Sequence, residues 1–343
     1  GYESSLSSFL TINNSQDLTI TGAHFPDAST AAYNVAKDSD QGTVIMSEPS
    51  GAFAGEEFEY DPHERIDWLI PVSGLWTGAV SSDWHTPGNW DGGIVPDATV
   101  DVTIPAGCPN FPSVESADAG CAGIVVEAGA NLRIHDKTLS LTNSLDIFGT
   151  MTMDHADGEL VASVIRWKPG SDDLNMNAGN ILVMQWFFDE GTQAQIGPGN
   201  TLTVSAGLLS LEPEASVGNL IFNASPTEKI KMPVDETYHL NVAGNMTIEN
   251  GELSVGWMNY TILGDLIISP GATFLLNSVG DVTIEVYGNL LTEGNFWISE
   301  NLIVHGEPQL HETGMMSLID AGQLLCDMPA SEKALITMNG TFG

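Results

Sequence analysis

The 343-residue sequence predicts an all-β protein: a parallel β-helix (β-solenoid) with an N-terminal β-rich cap or partial domain. Two observations predict this class. Helical periodicity is almost absent, and short runs of Val, Ile, Leu, Thr and Phe are separated by Gly, Asn, Asp and Pro. In addition, a turn signature of Gly with Asn or Asp opens successive apolar runs. Its glycines are 20, 19, 26, 20 and 24 residues apart, at Gly179, Gly199, Gly218, Gly244, Gly264 and Gly288.

A period of this length, made of short strands and turns, is typical of a solenoid coil whose strands pair in parallel with the coils above and below. A leucine-rich repeat has a similar period, but its spaced leucines and its helix-forming half are missing. A β-sandwich is the alternative fold, and it would place turns every ~8–12 residues. Because the signature repeats by coil and not by hairpin, the solenoid is favoured. We expect glycine at these turns because a corner often needs a positive φ.

The chain divides into three segments in order. The first, residues 1–73, contains short predicted strands at 9–12, 18–24 and 43–46, and is interpreted as a β-rich segment or a cap over the first coil. A Trp-rich module follows at 74–107, and the parallel β-helix is predicted for 108–343. The chain starts without Met and ends in an apolar run, so we expect it to be a mature or cut segment of a longer protein.

The charge is strongly one-sided. The sequence has 45 acidic and 9 basic residues, which gives a formal net charge of −36. A field of that sign repels phosphate and anionic lipid, so nucleic acid is excluded as a partner. Apolar runs of the ~18–20 residues that a membrane helix needs are also missing from the sequence, which predicts no direct membrane insertion.

The three cysteines allow one intrachain bridge. Cys108 and Cys121 enclose a loop of 12 residues that contains two prolines, and a disulfide between them would stabilise the fold by about 3 kcal/mol. The alternative is two reduced, buried thiols. Cys326 is left over, and we expect it to be a buried thiol. A disulfide would fit an oxidising, extracytoplasmic compartment.

Residues 76–105 carry the most specific motif of the chain. W-x-G at Trp76 is followed by D-W at Trp84, by N-W at Trp90, and then by G-x-x-P and D-V-x-I-P. This stretch resembles a module common in large secreted and surface proteins of Bacteroidota. In that family the module opens a parallel β-helical region whose turns read like the Gly-Asn repeats described above.

The resemblance implies export, often by the type IX secretion route, and a role in adhesion, gliding or cell-surface architecture. Trp76, Trp84 and Trp90 are interpreted as a structural aromatic motif that pins a folded loop against the first coil. A sugar-stacking platform is the alternative interpretation for the same three residues.

The sequence gives little support for a set of catalytic residues. Asp172 and Asp173 are adjacent carboxylates, as in β-helical glycoside hydrolases, but the other residues of such a site are missing and a solvated turn is the simpler interpretation. The eight histidines have no metal-ligand spacing. No cofactor is predicted. Calcium is the one ion we would consider, at carboxylate-rich turns such as residues 38–40.

The sequence therefore predicts a non-enzymatic, exported bacterial surface protein. It would be an extracellular structural or adhesive β-helical rod, part of a long surface chain or filament. Its expected partners are other copies or neighbouring domains of the same assembly, with glycans as a further candidate. The alternative is a carbohydrate-active β-helical enzyme, such as a polysaccharide lyase or glycoside hydrolase, or a carbohydrate-binding appendage.

Overall fold

The computed structural model confirms the predicted class: it is nearly all-β, and parallel stacked strands form a β-solenoid of about 12 turns. Three single-turn 3-10 helices occur in the described part of the chain, at Glu56–Phe58, Pro87–Asn89 and Asp91–Gly93. The structure describes residues 8–25, 33–47, 49, 54–69, 73–168, 175–188, 196–207, 215–232, 238–255, 258–276, 282–299, 301–311, 315–318, 323–326, 337–338 and 341–342.

The chain divides into two compact units. One comprises residues 1–74 together with 90–95, and the other comprises 75–89 together with 96–343. The first unit has two parallel sheets, with strand orders β1-β3-β5 and β2-β4-β6. Its strands are β1 (Ser8–Thr11), β2 (Leu18–Thr21), β3 (Tyr33–Ala36), β4 (Val44–Ser47), β5 (Glu59–Tyr60) and β6 (Ile66–Leu69).

This first unit repeats one strand pair three times. Its core contains Val35, Val44 and Met46, all with no exposed surface, and Ile12 and Ile66 are nearly as buried. The predicted strands at 9–12, 18–24 and 43–46 correspond to β1, β2 and β4. Their parallel stacking was not predicted, because the partners lie some 25 residues apart and carry no shared turn motif.

The second unit has three faces per coil, numbered in the order in which the first complete coil visits them. Face 1 begins with β7 (Val102–Ile104), face 2 with β8 (Ser113–Val114) and face 3 with β9 (Ala119–Cys121). The following coils contribute β10 (Ile124–Val126), β11 (Asn131–Ile134), β12 (Thr138–Leu141), β13 (Ser144–Ile147), β14 (Thr150–Met153), β15 (Glu159–Trp167), β16 (Asn175–Phe188) and β17 (Ile196–Val204).

Three strands of this set are long because they continue around corners. β15 pairs with β12 on face 3 and with β13 on face 1, and β16 pairs with both β14 and β15. β17 continues β16 on faces 2 and 3. A strand that bends at a corner keeps its inward and outward alternation on both faces, so one continuous strand can serve two sheets of the coil.

The later coils keep the three faces with short strands. Face 1 is formed by β20 (Lys229–Lys231), β23 (Glu252–Val255), β26 (Thr273–Leu276), β29 (Asn295–Ile298), β32 (Met315–Leu318) and β35 (Thr341–Phe342). Face 2 is formed by β18 (Ala215–Val217), β21 (Tyr238–Val242), β24 (Met258–Ile262), β27 (Thr283–Val286), β30 (Asn301–Val304) and β33 (Gln323–Cys326). Face 3 is formed by β19 (Asn219–Asn223), β22 (Met246–Asn250), β25 (Leu266–Ile268), β28 (Leu290–Thr292), β31 (Pro308–Leu310) and β34 (Thr337–Met338).

The core consists of columns of inward side chains. Face 3 is paired without a break from β9 to β34, and every pair is parallel. One register column of this face is buried throughout and runs through Ala119, Leu139, Leu160, Ile181, Leu202, Leu220, Met246, Leu266, Leu290 and Pro308. Because each side chain is covered by its equivalents above and below, a short strand can bury its apolar residues completely.

The glycine of the turn signature is required for close approach between coils. The backbone N–H of each of Gly244, Gly264, Gly288 and Gly306 donates to the carbonyl of the equivalent glycine one coil earlier, at 2.8–3.1 Å. A Cβ at Gly264 would lie 2.6 Å from the carbonyl oxygen of Gly244. The expected reason, a positive φ, is wrong at these positions, and among the six signature glycines it holds only for Gly179 (φ 102°).

The residue after the glycine forms a side-chain ladder. The Oδ1 atoms of Asn219, Asn245, Asp265 and Asn289 each accept the backbone N–H of the equivalent residue in the next coil, at 2.7–3.0 Å, and the last of these donors is Glu307. This ladder satisfies corner N–H groups that the strand pairing does not reach. The Gly-Asn signature therefore stabilises the stacking of neighbouring coils.

Residues 75–89 continue the pairing below the first coil. Leu75 forms a parallel bridge with Thr103 of face 1, and Asp83 forms one with Ser113 of face 2. Their neighbours donate backbone bonds from Trp76 to Thr103 (3.0 Å) and from Trp84 to Ser113 (3.1 Å). This segment therefore gives partners to the strand edge that the first coil would otherwise expose.

Candidate functional site

The Trp-rich module is a packed structural element. Trp76 and Trp84 have no exposed surface, and Trp90 is 3% exposed. This burial supports the predicted packing role of the motif and leaves little ring surface for the alternative, sugar stacking. The Trp76 indole N–H donates to the carbonyl of Asn110 (2.7 Å), whose side-chain amide in turn donates to the carbonyl of Gly78 (2.8 Å).

Asn89 holds the loop of this module together. Its Oδ1 accepts the backbone N–H groups of Val80 (2.9 Å) and Ser81 (2.8 Å), and its Nδ2 donates to Ser81 Oγ (3.1 Å) and to the carbonyl of Asp83 (2.8 Å). The side chain is fully buried. All the polar atoms of the amide are thus used within one turn, which accounts for the asparagine of the N-W pair.

The predicted disulfide is not formed. Cys108 and Cys121 are both free thiols. Cys108 lies in the turn between β7 and β8, where its Sγ donates toward the carbonyls of Trp76 and Pro105. Cys121 ends β9 with its side chain buried in the core. The coil geometry places the two residues at different corners, so the loop composition that suggested a bridge did not reflect which side chains meet.

Thiol reactivity gives a direct test of this arrangement. Burial, with a contribution from Asp101, raises the pKa of Cys121 to about 12, so we expect no alkylation of Cys121 in the native protein at neutral pH. After denaturation without reductant, both Cys108 and Cys121 should react fully with iodoacetamide. Mass spectrometry of the digest checks both statements, and a cross-linked peptide containing both residues would contradict the structure.

A polar cluster lies on face 2 of the first coils and is called the Arg133 cluster here: Glu115, Arg133, His135 and Asp154. Arg133 donates to Glu115 Oε2 in the coil below (3.1 Å) and, through Nε and Nη2, to Asp154 Oδ2 in the coil above (3.0 and 2.9 Å). His135 Nδ1 lies 2.8 Å from Asp154 Oδ1. Desolvation would raise the pKa of Asp154, but the bonds from His135 and Arg133 outweigh it and hold that pKa below its usual value.

This cluster joins three coils and lacks a nucleophile. Within the described residues no hydroxyl or thiol hydrogen-bonds His135, which is the arrangement that activates a serine or cysteine. Arg133 already pairs with the carboxylates of Glu115 and Asp154 across the strands. The cluster therefore supports stacking of the first coils and is not arranged for acid–base catalysis.

Asp83, His85 and Ser116 resemble a catalytic triad in composition only. Ser116 Oγ donates to Asp83 Oδ1 (2.7 Å) and lies 3.3 Å from His85 Nδ1, while His85 Nε2 faces the carbonyl of Asp118 (3.0 Å). A working triad needs the aspartate on one ring nitrogen and the serine on the other. Here Asp83 and Ser116 both lie on the Nδ1 side of the ring, and the serine hydroxyl donates to Asp83 itself, so the relay of a triad is not formed.

Other sequence candidates do not form a site. Asp172 and Asp173 lie outside the described residues. Asp38 and Asp40 lie on a turn of the first unit, and no group of three or more His, Cys, Asp or Glu side chains that could hold a metal ion occurs in the described parts of the chain. The same residues contain no helix that is both long and apolar enough to span a membrane.

Sequence reasoning missed two outward-facing aromatic residues in the later coils. Tyr287 follows β27, is 48% exposed, and stacks on His305 with a centroid separation of 4.4 Å. Trp297 lies on β29 between the buried Phe296 and Ile298. The alternation of Asn295 to Ile298 was the available signal, because it puts Trp297 on the outer surface once that run is assigned to a strand.

Among the described residues of the first unit, Glu59 has a carboxyl group whose pKa is raised toward neutral. Desolvation raises the pKa of Glu59 to about 7, Asp61 and Glu56 add to this shift, and the bond from Trp68 Nε1 (2.5 Å) opposes it. Because the folded state binds this proton more tightly than the unfolded state, its contribution to stability is complete below pH ~4.5 and is lost as the pH rises toward 7 and beyond.

Replacing Glu59 with glutamine should remove this loss. We expect the Glu59→Gln variant to be more stable than wild type at pH 8 by about 1 kcal/mol, which is well below the full value of the shift because solvent screens a partly exposed group. At pH 5 the two proteins should be alike. Urea denaturation followed by circular dichroism checks this, with Glu57→Gln as the control at an exposed neighbour. Equal pH dependence of wild type and Glu59→Gln would contradict it.

Comparison with known proteins covers only part of the chain. Residues 75–185 match the family model of a domain of unknown function (DUF8693). This segment starts at the strand bridge of Leu75 and includes the Trp-rich module and the Arg133 cluster, but it covers only about a third of the 343 residues. No similar curated protein and no similar solved structure was found.

Proposed function

We propose that this chain is a non-enzymatic, exported bacterial surface protein in which the solenoid serves as a structural or adhesive element. The observation that carries the proposal is face 3, whose eleven strands pair without a break from β9 to β34. Hydrogen bonds of this ladder run along the solenoid axis, and the glycine contacts and the Asn/Asp ladder run parallel to them. Such an arrangement resists extension along the axis, as a surface protein under mechanical tension requires.

The charge supports the same proposal. With a net charge of −36, the surface is strongly hydrated and repels other anionic surfaces. The Arg133 cluster joins neighbouring coils, and its histidine has no hydroxyl or thiol partner in the described residues, which favours a structural role for this cluster over chemistry. The likeness to Bacteroidota surface modules stated above is consistent with export, and other copies or neighbouring domains of the same assembly are the proposed partners.

Accessibility on living cells tests the location. Antibodies against the purified chain should label intact cells of the producing bacterium, and protease added outside should remove the label. Labelling that needs cell lysis would contradict the proposal.

Incubation of the purified protein with neutral and acidic polysaccharides tests the absence of enzymatic activity, and release of reducing ends or unsaturated products would favour the hydrolase or lyase alternative.

A further inference from the structure

Trp297 occupies the middle of an outer sheet surface. In β29, Phe296 and Ile298 have no exposed surface, and Trp297 points to the other side of the strand and is half-buried. The strand register places Leu275 of β26 directly on one side of it and Ser317 of β32 on the other. The outward position of Trp297 on face 1 thus has an aliphatic neighbour one coil before and a hydroxyl one coil after.

The outward positions nearest to Trp297 carry no charged side chain. We call this set the Trp297 surface, and it consists of the outward positions of three adjacent strands: Thr273, Leu275, Asn295, Trp297, Met315 and Ser317. The neighbouring strand β23 carries Glu252 in register with Thr273, so the uncharged positions end there. The surface combines one large aromatic ring with aliphatic, hydroxyl and amide groups.

The hydrogen-bonding groups of this surface are largely available to a ligand. Within the described residues, the indole N–H of Trp297 makes no hydrogen bond, and the only bond among the polar members joins Asn295 Nδ2 to Thr273 Oγ1 at 3.4 Å. An aromatic ring with a polar edge suits ligands that present an apolar face and hydroxyl edges, as pyranose rings do. The stacked Tyr287–His305 pair is less suitable, because one face of its tyrosine ring is already covered by the histidine.

The net charge of the chain decides which class of ligand can approach the Trp297 surface. An anionic polymer would be repelled by the −36 chain, a cation would be drawn to carboxylates elsewhere, and a second copy carries the same charge. A neutral polysaccharide meets none of these obstacles. We propose that the Trp297 surface of face 1 binds a neutral polysaccharide chain, with the Trp297 indole stacked on a sugar ring. This inference rests on the adhesive role proposed above and names its ligand class.

Titration with defined sugars tests the proposal on the full chain. Cellohexaose, maltohexaose, mannohexaose and xylohexaose serve as neutral probes, and polygalacturonate serves as the anionic comparison. We expect at least one neutral probe to bind in calorimetry and to change tryptophan fluorescence. Trp297→Ala should raise its Kd by roughly tenfold or more, and Trp297→Phe should bind with intermediate affinity because it keeps a ring and loses the N–H.

Tyr287→Ala is the matched control, since it removes an outward aromatic residue at a corner away from this surface, and its Kd should equal that of wild type. Circular dichroism melting of each variant shows whether the fold is kept. Three results would overturn the proposal: no neutral probe binds, Trp297→Ala binds like wild type, or wild type self-associates in sedimentation and Trp297→Ala does not. If intact cells are labelled but no sugar binds, the surface location stands and the sugar proposal fails. If a sugar binds but intact cells are not labelled, the sugar proposal stands and the surface location fails.

Discussion

Replacing Asn89 with alanine is expected to lower the free energy of unfolding by about 3 kcal/mol. The change removes the acceptor of the Val80 and Ser81 amides and the donor to Ser81 Oγ and to the carbonyl of Asp83; the Asn89 side chain is fully buried, although Val80 itself is exposed. The four hydrogen bonds of the amide contribute about 0.5–1.5 kcal/mol each, so their combined loss reaches about 3 kcal/mol. Urea denaturation followed by circular dichroism measures the effect.

Asn223→Ala is the matched control for this change. Asn223 is exposed and, among the described residues, its side chain bonds to Glu249 and Asn250 at the surface, so its replacement should cost less than about 0.5 kcal/mol. Equal stability of Asn89→Ala and Asn223→Ala would mean that the buried amide does not organise the Trp-rich module. Near-ultraviolet circular dichroism should also change for Asn89→Ala alone, because Trp76 and Trp84 pack in the same module.

The second large effect is expected at Gly264. An added Cβ would lie 2.3 Å from Asn245 Oδ1 and 2.6 Å from the carbonyl oxygen of Gly244, so Gly264→Ala must push two coils apart or displace the Asn245 side chain. Either response breaks ladder bonds, because Asn245 Oδ1 accepts the N–H of Asp265 and the Gly264 N–H donates to Gly244. We expect a loss of about 3 kcal/mol in the free energy of unfolding, at the upper end of the usual cost of overpacking.

Gly120→Ala, within β9 of face 3, gives the comparison at a glycine outside the ladder. Its Cβ would meet only the carbonyl oxygen of Ser140, at an ordinary contact distance of 3.6 Å, so the change should be close to neutral. Chemical denaturation of both variants separates a general intolerance of side chains at solenoid glycines from the specific clash at the ladder. A loss at Gly264 no larger than that at Gly120 would show that the coils can separate without cost.

Much of this fold was predictable because single residues at each turn mark the coil repeat. The Gly-Asn signature predicted parallel coils, and the Trp motif predicted a packed module before the first coil. The reason assigned to the glycines was wrong, because backbone conformation is a local property while the contact of Gly264 with Gly244 is made between residues 20 positions apart. The first unit shows the same limit: β1, β2 and β4 were predicted as strands, but their partners were not.

The sequence by itself determined the all-β class, the coil period, the packed tryptophans and the acidic charge, because each depends on residue type and on spacing along the chain. The tertiary structure alone decided which side chains meet. It separated Cys108 from Cys121, joined Arg133 to carboxylates of the coils below and above, and placed Trp297 between Leu275 and Ser317. Contacts of this kind depend on strand register, and a single strand does not specify its register because that is determined only when neighbouring coils pack together.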